Sequence, residues 1–464
     1  MQSNREIIES FDNLKVFRPD FVFPIKMKSS DIYKVTGSPI TSNDRVQVTT
    51  VVHKSITDGR ERCLTTFKEP LKPELFEIYK KLDHPYIIKP FQYFEIEPYG
   101  IITESHSYNL AQHLQQHGPF SEKEAAHLCR KILLATNFLH KNNIMHRKIS
   151  LENLALTDPS CNGPIKLSNF LDATVFKPDQ VFTDNIPMNA DYTAPEVLKG
   201  EYTEKCDVWS CGVALYTLLC GKLPYEDRTE ENMLKSIQSG KYNFEGDEWK
   251  GVSEDAKLFI RRMMECDVGK RYSAREALND PWLMKHTQRM LDQTGEEILK
   301  SLEKFAPKYR LQKLFLFFMT DQLLPTKARE ILSETFDSLD LDHDGKLTRD
   351  DLITRMNSDT YKQILERVDL DKSGDISYSE FVMATLGTKF DIIKELSHAT
   401  FALLDWDKDG AIGVEDLKFN FGGDNSKREI KDYVWQDLIS DGDYDHDGKL
   451  NFEEFVKFMN DLGY

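Results

Sequence analysis

Residues Ile144 to Leu171 read IMHRKISLENLALTDPSCNGPIKLSNFL. Three basic residues, His146, Arg147 and Lys148, stand ahead of Glu152-Asn153, and Ile165-Lys166-Leu167 leads into Asn169-Phe170-Leu171. Lys148 is a cation with no acceptor lone pair, so near neutral pH it takes up no proton. Asn169 is neutral. Upstream, Asn109–Gln116 and Ser121–His140 read as helices, the second opened by a capping box of Ser121 and Glu124. Leu128, Ile132, Leu133 and Phe138 form its buried stripe. Between Ile32 and Phe67, β-branched residues alternate with polar ones and turn signals interrupt them, which predicts an antiparallel sheet. Short strands are expected at Phe21-Val22-Phe23 and Ile101–Glu104, and a helix over Pro73–Leu82.

Downstream come Ala194-Pro195-Glu196, Asp207-Val208-Trp209-Ser210-Cys211-Gly212, Gly269-Lys270-Arg271-Tyr272-Ser273-Ala274 and Leu278-Asn279-Asp280-Pro281-Trp282. With the opening stretch, these runs resemble the Ser/Thr protein kinase family, whose catalytic pattern is H-R-D-L-x-x-x-N followed by D-F-G. The resemblance implies that Lys148 stands where the catalytic Asp is expected, and Asn169 where the Mg²⁺-binding Asp is expected. Asn153 is retained. It also implies a Glu196–Arg271 clamp. Asp207 would cap the central helix and hold the backbone around His146-Arg147. In the sheet, the three glycine positions of the phosphate-covering hairpin fall on Asn43, Arg45 and Val48, the phosphate-binding Lys on Thr65, and its Glu partner on Leu75. Asp158, Asp172 and Glu152 are candidate substitute carboxylates, none at the required position. No intact catalytic set is expected, and ATP and Mg²⁺ lack their usual ligands.

The chain of 464 residues carries a net charge of −17, unevenly placed. Residues 321–464 hold 33 acidic and 17 basic side chains. In that tail the pattern D-x-[DN]-x-[DN]-G-x₅-E recurs four times in recognisable form. The first loop offers Asp340, Asp342, Asp344, Lys346 and Asp351; the second Asp369, Asp371, Ser373, Asp375 and Glu380. The third offers Asp405, Asp407, Asp409, Ala411 and Asp416; the fourth Asp443, Asp445, Asp447, Lys449 and Glu454. Positions 1, 3, 5 and 12 supply carboxylate or hydroxyl oxygens, position 7 a backbone carbonyl, and the glycine at 6 permits the sharp turn. Up to four Ca²⁺ are expected. The first and third loops end in Asp, one methylene shorter than Glu, and are expected to bind more weakly. Leu347, Ile376, Ile412 and Leu450 should form the short strands that pair the loops.

With this tail the resemblance is to the calcium-dependent branch of the kinase family. The expected fold is an α+β bilobal protein-kinase-like domain followed by an all-α calmodulin-like domain with two EF-hand pairs. The expected boundaries are an extension at 1–30, the kinase-like domain at 31–285 (N-lobe 31–105, C-lobe 106–285), a junction at 286–330 and the calcium domain at 331–464. Glu296–Leu324 is basic, apolar and aromatic, a calmodulin-target-like helix. The family implies that this segment is autoinhibitory and can be bound by the calcium domain; the bland alternative is that it packs on the kinase lobe.

Seven cysteines without a C-x-x-C pair suggest core thiols in a reducing compartment. No signal peptide, membrane span or myristoylation site is read, so a cytoplasmic protein without a membrane anchor or nucleic-acid partner is expected. Three readings follow. The first is a calcium-sensing pseudokinase that regulates unidentified protein partners. The second is an active Ca²⁺-dependent kinase with an atypical site and protein substrates. The third is a calcium buffer.

Overall fold

In a computed structural model, residues 23–462 are described apart from 38, 43–45, 56–59, 107, 157–164, 185–188, 226–229, 288–292, 354, 387–389 and 422–430. Asn43, Arg45, Asp158, Phe21 and Val22 therefore lie outside the described residues. The alternating stretch forms the expected sheet. Its strands are β1 Phe23–Ile25, β2 Tyr33–Val35, β3 Thr41–Ser42, β4 Val46–His53, β5 Glu61–Phe67, β6 Pro90–Phe94 and β7 Tyr99–Glu104. Their order is β1-β6-β7-β5-β4-β2, with β3 on β4. The β4–β5 register sets Val48 opposite Thr65 and Val52 opposite Glu61. Helix α1, Pro73–Tyr79, opens with Pro at its first turn, where a missing N–H costs nothing.

The second lobe is helical. In α2, Glu122–Lys141, the Ser121 hydroxyl accepts from the Glu124 N–H and the Glu124 carboxylate accepts from the Ser121 N–H. Helix α3, Lys205–Cys220, is buried from Cys206 onward and has no polar face, as befits the centre of a lobe. Gly212 is required there: a Cβ would meet the Met264 side chain at 2.6 Å. Half of the Asp207 expectation is corrected: it lies in the first turn of α3 with Glu204 at the cap. The other half holds, because its carboxylate accepts from the His146 and Arg147 backbone N–H groups.

The junction also differs from expectation. It is two helices, α4 Gln293–Lys304 and α5 Arg310–Leu323, because Pro307 lacks an N–H and disfavours helix in the residue before it. Both bury their apolar faces within the tail. Phe305, Leu311, Phe315 and Phe317 share a core with Phe381, Phe455 and Phe458. The Gln312 side chain donates to the Phe458 carbonyl at 2.8 Å. Each fully buried Phe or Leu contributes roughly 1.5–3 kcal/mol over exposure, so this seat is a strong one. The C-terminal carbonyls of α5 are covered by three arginines. Arg62 donates to Gln322 O and Arg60 to Leu323 O from β5 and its leading turn; Arg329 donates to Thr320 O and Asp321 O. Cations there oppose the negative end of the helix dipole. The N-terminal sheet thus holds one end of a helix whose body is seated in the tail.

The tail is helical, with α6 Thr326–Leu339, α7 Tyr378–Leu386, α8 Phe390–Leu404 and α9 Phe452–Asn460 among its helices. The loops pair as expected, with Leu347 opposite Ile376 and Ile412 opposite Leu450. No helix among the described residues is long and apolar enough to cross a membrane.

Candidate functional site

The four acidic loops share one construction. Position 4 is left-handed in each, at His343, Lys372, Lys408 and His446 with φ of 56° to 62°. The glycines at position 6, Gly345, Gly374, Gly410 and Gly448, have φ of 85° to 89°, which a side chain would strain. This turn gathers Asp340, Asp342 and Asp351; Asp369, Asp371 and Glu380; Asp405, Asp407 and Asp416; and Asp443, Asp445 and Glu454. In each trio, carboxylate oxygens lie within 4.8 Å of one another. Such hard oxygen donors, gathered against their own repulsion, fit Ca²⁺. Asp342 Oδ1 is buried without a hydrogen-bond partner, as an oxygen reserved for a cation would be.

The loops that end in Asp close like those that end in Glu. Asp351 accepts from Leu341 N and Thr348 N at 2.9 and 2.7 Å, as Glu380 does from Leu370 N and Ser377 N at 2.7 and 2.9 Å. Asp416 and Glu454 repeat the pattern with Trp406 N and Gly413 N, and with Tyr444 N and Asn451 N. What distinguishes the third loop is Lys449, which ion-pairs with Asp409 and holds its carboxyl below the usual range. Lys346 likewise pairs with Asp375, at 2.9 Å. Among the expected ligand residues, Asp344, Ser373, Asp409, Asp447 and the position-7 residues stand outside the four trios.

Burial first, then neighbouring carboxylates, pushes Asp340 and Glu380 up to about 8. Unfolded carboxyls titrate near about 4, so the folded, calcium-free chain holds protons that the unfolded chain has lost. These two groups therefore contribute stability that is lost as pH rises from about 4 to about 8. Calcium requires the ionised forms, so binding is expected to release protons near pH 7 and to tighten up to about pH 8. Calorimetry in two buffers of different ionisation enthalpy reads that release directly.

The second constellation lies between the lobes. Asp207 Oδ2 accepts from His146 N at 2.9 Å and Oδ1 from Arg147 N at 2.8 Å, fixing a backbone in which Arg147 has φ of 65°. The Phe170 ring sits against His146 and against Tyr79, one helical turn beyond Leu75 on α1. Lys148 Nζ is 2.9 Å from Oδ2 of Asp172, which is buried. The Asn169 amide donates to Asn153 Oδ1 at 3.1 Å, and Asn153 in turn donates to the Lys148 carbonyl at 2.8 Å. A cavity of about 130 Å³ opens here, lined by Val48, Thr65, Asn153, Asn169 and Phe170 among others. Leu75 packs at the edge of the main core instead. Glu152 is the one carboxylate on the wall, and no lysine or arginine lines it among the described residues. Two amides bonded to each other, and a carboxylate already paired with Lys148, do not fit a nucleotide-bound Mg²⁺. The residue runs alone left these pairings unread, because Asp172 and Lys148 meet only through the fold.

Elsewhere the Glu196–Arg271 clamp is present, with Arg271 Nη2 donating to Glu196 Oε2 at 2.8 Å. The tail touches the N-terminal domain directly. Arg130 forks onto Asp337 at 2.7 and 3.3 Å, and Ser379 donates to Asp83 at 2.6 Å.

Comparison with known proteins agrees with this architecture. The protein kinase domain family matches residues 39–283, and an EF-hand domain pair matches residues 329–386 and 394–460. The chain is 32% identical to "Calcium-dependent protein kinase 3" of Plasmodium berghei (strain Anka), over 97% of this chain and 84% of that protein. It is 32% identical to "Calcium-dependent protein kinase 4" of Plasmodium falciparum (isolate 3D7), over 85% of this chain and 79% of that protein.

Proposed function

We propose that this chain, which belongs to the calcium-dependent protein kinase family, is a calcium-responsive pseudokinase with little or no phosphoryl transfer. The observation that carries the reading is the Lys148–Asp172 pair. A kinase needs a carboxylate that accepts the substrate hydroxyl proton. Here a cation occupies that position, and its neighbouring carboxylate is held by it. Thr65, Leu75 and Asn169 remove three further charges that such chemistry uses.

Bound calcium would supply the positive charge that the clustered carboxylates of each loop are arranged to meet. The residues of the chain do the rest. The tail seats α4 and α5, and Arg60, Arg62 and Arg329 tie the end of α5 to the kinase sheet. Calcium would thereby change which kinase-lobe and junction surfaces protein partners meet. These direct contacts favour a switch over a passive calcium buffer.

A second reading is supported by the relatives' names, which are those of kinases. It is an active Ca²⁺-dependent kinase with an atypical site, and one assay separates the two. The full chain with Ca²⁺, Mg²⁺-ATP and a peptide is expected to transfer phosphate no faster than a protein-free control. Lys148→Asp alone is expected to stay there, because Asn169, Thr65 and Leu75 are unchanged. Calcium-dependent transfer by the unaltered chain would establish the second reading.

A further inference from the structure

The kinase lobe holds the first calcium loop at positions 4 and 6 and also holds the helix that enters it. The Asn137 amide of α2 donates to the carbonyl of His343, the left-handed residue at position 4. Phe138 and His84 close on Gly345 at position 6, so tightly that a Cβ there would lie 2.4 Å from the Phe138 ring. Arg130, two turns earlier on α2, forks onto Asp337 in the helix that enters the loop. Asp340 and Asp351 are each 4% exposed. The loop also contains the buried, unpartnered Asp342 Oδ1.

An EF-hand loop must be ordered, and its carboxylates gathered, before it holds a cation well. That ordering cost subtracts from affinity unless other contacts have already met it. In this loop the contacts come from another domain. We propose that the first calcium site is built jointly by the two domains: Arg130, Asn137 and Phe138 position the loop, and its calcium affinity depends on the docked lobe. By linkage, calcium at this loop strengthens docking by the same factor. The three α2 residues are positioning residues and touch no cation. The inference rests on calcium occupancy of the loops, which the test examines separately.

The test is a calcium titration of the full chain by calorimetry. Asp340→Ala identifies the event that belongs to the first loop by abolishing it. Arg130→Gln breaks the fork at a partly exposed position. Simple electrostatics predicts tighter binding, because a cation near four carboxylates has been removed. Joint construction predicts the opposite: that one event weakens roughly 5- to 20-fold and the others stay put. Arg130→Lys keeps the charge without the fork and is expected to fall between. An unchanged or tighter first-loop event in Arg130→Gln overturns the proposal while leaving calcium binding intact. Equal weakening of all events with a lowered unfolding midpoint also overturns it, as that denotes a loosened fold. If Asp340→Ala abolishes nothing, calcium occupancy of this loop fails, and joint construction fails with it.

Discussion

Replacing Arg271 with alanine is expected to destabilise the helical lobe by about 3–5 kcal/mol, the cost of breaking a buried ion pair by removing one partner. The Arg271 side chain is fully buried and does several jobs at once. It forks onto Glu196, donates to the carbonyls of Lys205 and Glu265, and lies 5.1 Å above the Trp209 ring. Its loss leaves the Glu196 carboxylate uncompensated in a low-dielectric core and takes this donor from the Lys205 and Glu265 carbonyls. Arg271→Lys restores the charge but not the fork, and is expected to recover only part of the loss. The measurement is denaturant unfolding of the full chain followed through tryptophan emission. Unaltered stability in Arg271→Ala would mean that the clamp is dispensable.

The second large effect is on calcium itself. Glu380→Gln with Glu454→Gln is expected to cut affinity at the second and fourth loops by at least the 10- to 100-fold that outer-shell partners alone are worth. Glu380 accepts from two backbone N–H groups of its own loop and Glu454 from three, and each lies in a trio of carboxylates. Gln keeps the shape and loses the charge and one ligand oxygen. In the unaltered chain Ca²⁺ is expected to raise the thermal midpoint, since it binds the folded form preferentially. In the double variant most of that rise should disappear. A rise of undiminished size would locate the calcium response away from these two loops.

Much of this was legible in the residues because the signals are local. The glycines at position 6 and the alternating oxygen donors at 1, 3 and 5 describe a turn that closes on itself, and that turn is what the structure holds. The Ser121–Glu124 box and the β4–β5 alternation are equally local. The junction was misread as one helix because its amphipathic period runs past Pro307, whose steric effect overrides the period. Asp207 was misassigned to a cap because first-turn acids commonly serve there; its other expected role, holding the His146-Arg147 backbone, is the one the structure shows.

The amino-acid sequence by itself determined the two-domain plan, the four acidic loops and the identities of Lys148 and Asn169. Each follows from spacing within a few residues, where covalent geometry leaves little freedom. Only the tertiary structure decided what those residues meet. Lys148 found Asp172, Lys449 found Asp409, and Arg130 found Asp337 across 207 positions of chain. Pairings of that kind depend on how two folded surfaces lie together. The burial that makes an ion pair or a shared calcium loop consequential comes into being only when those surfaces meet.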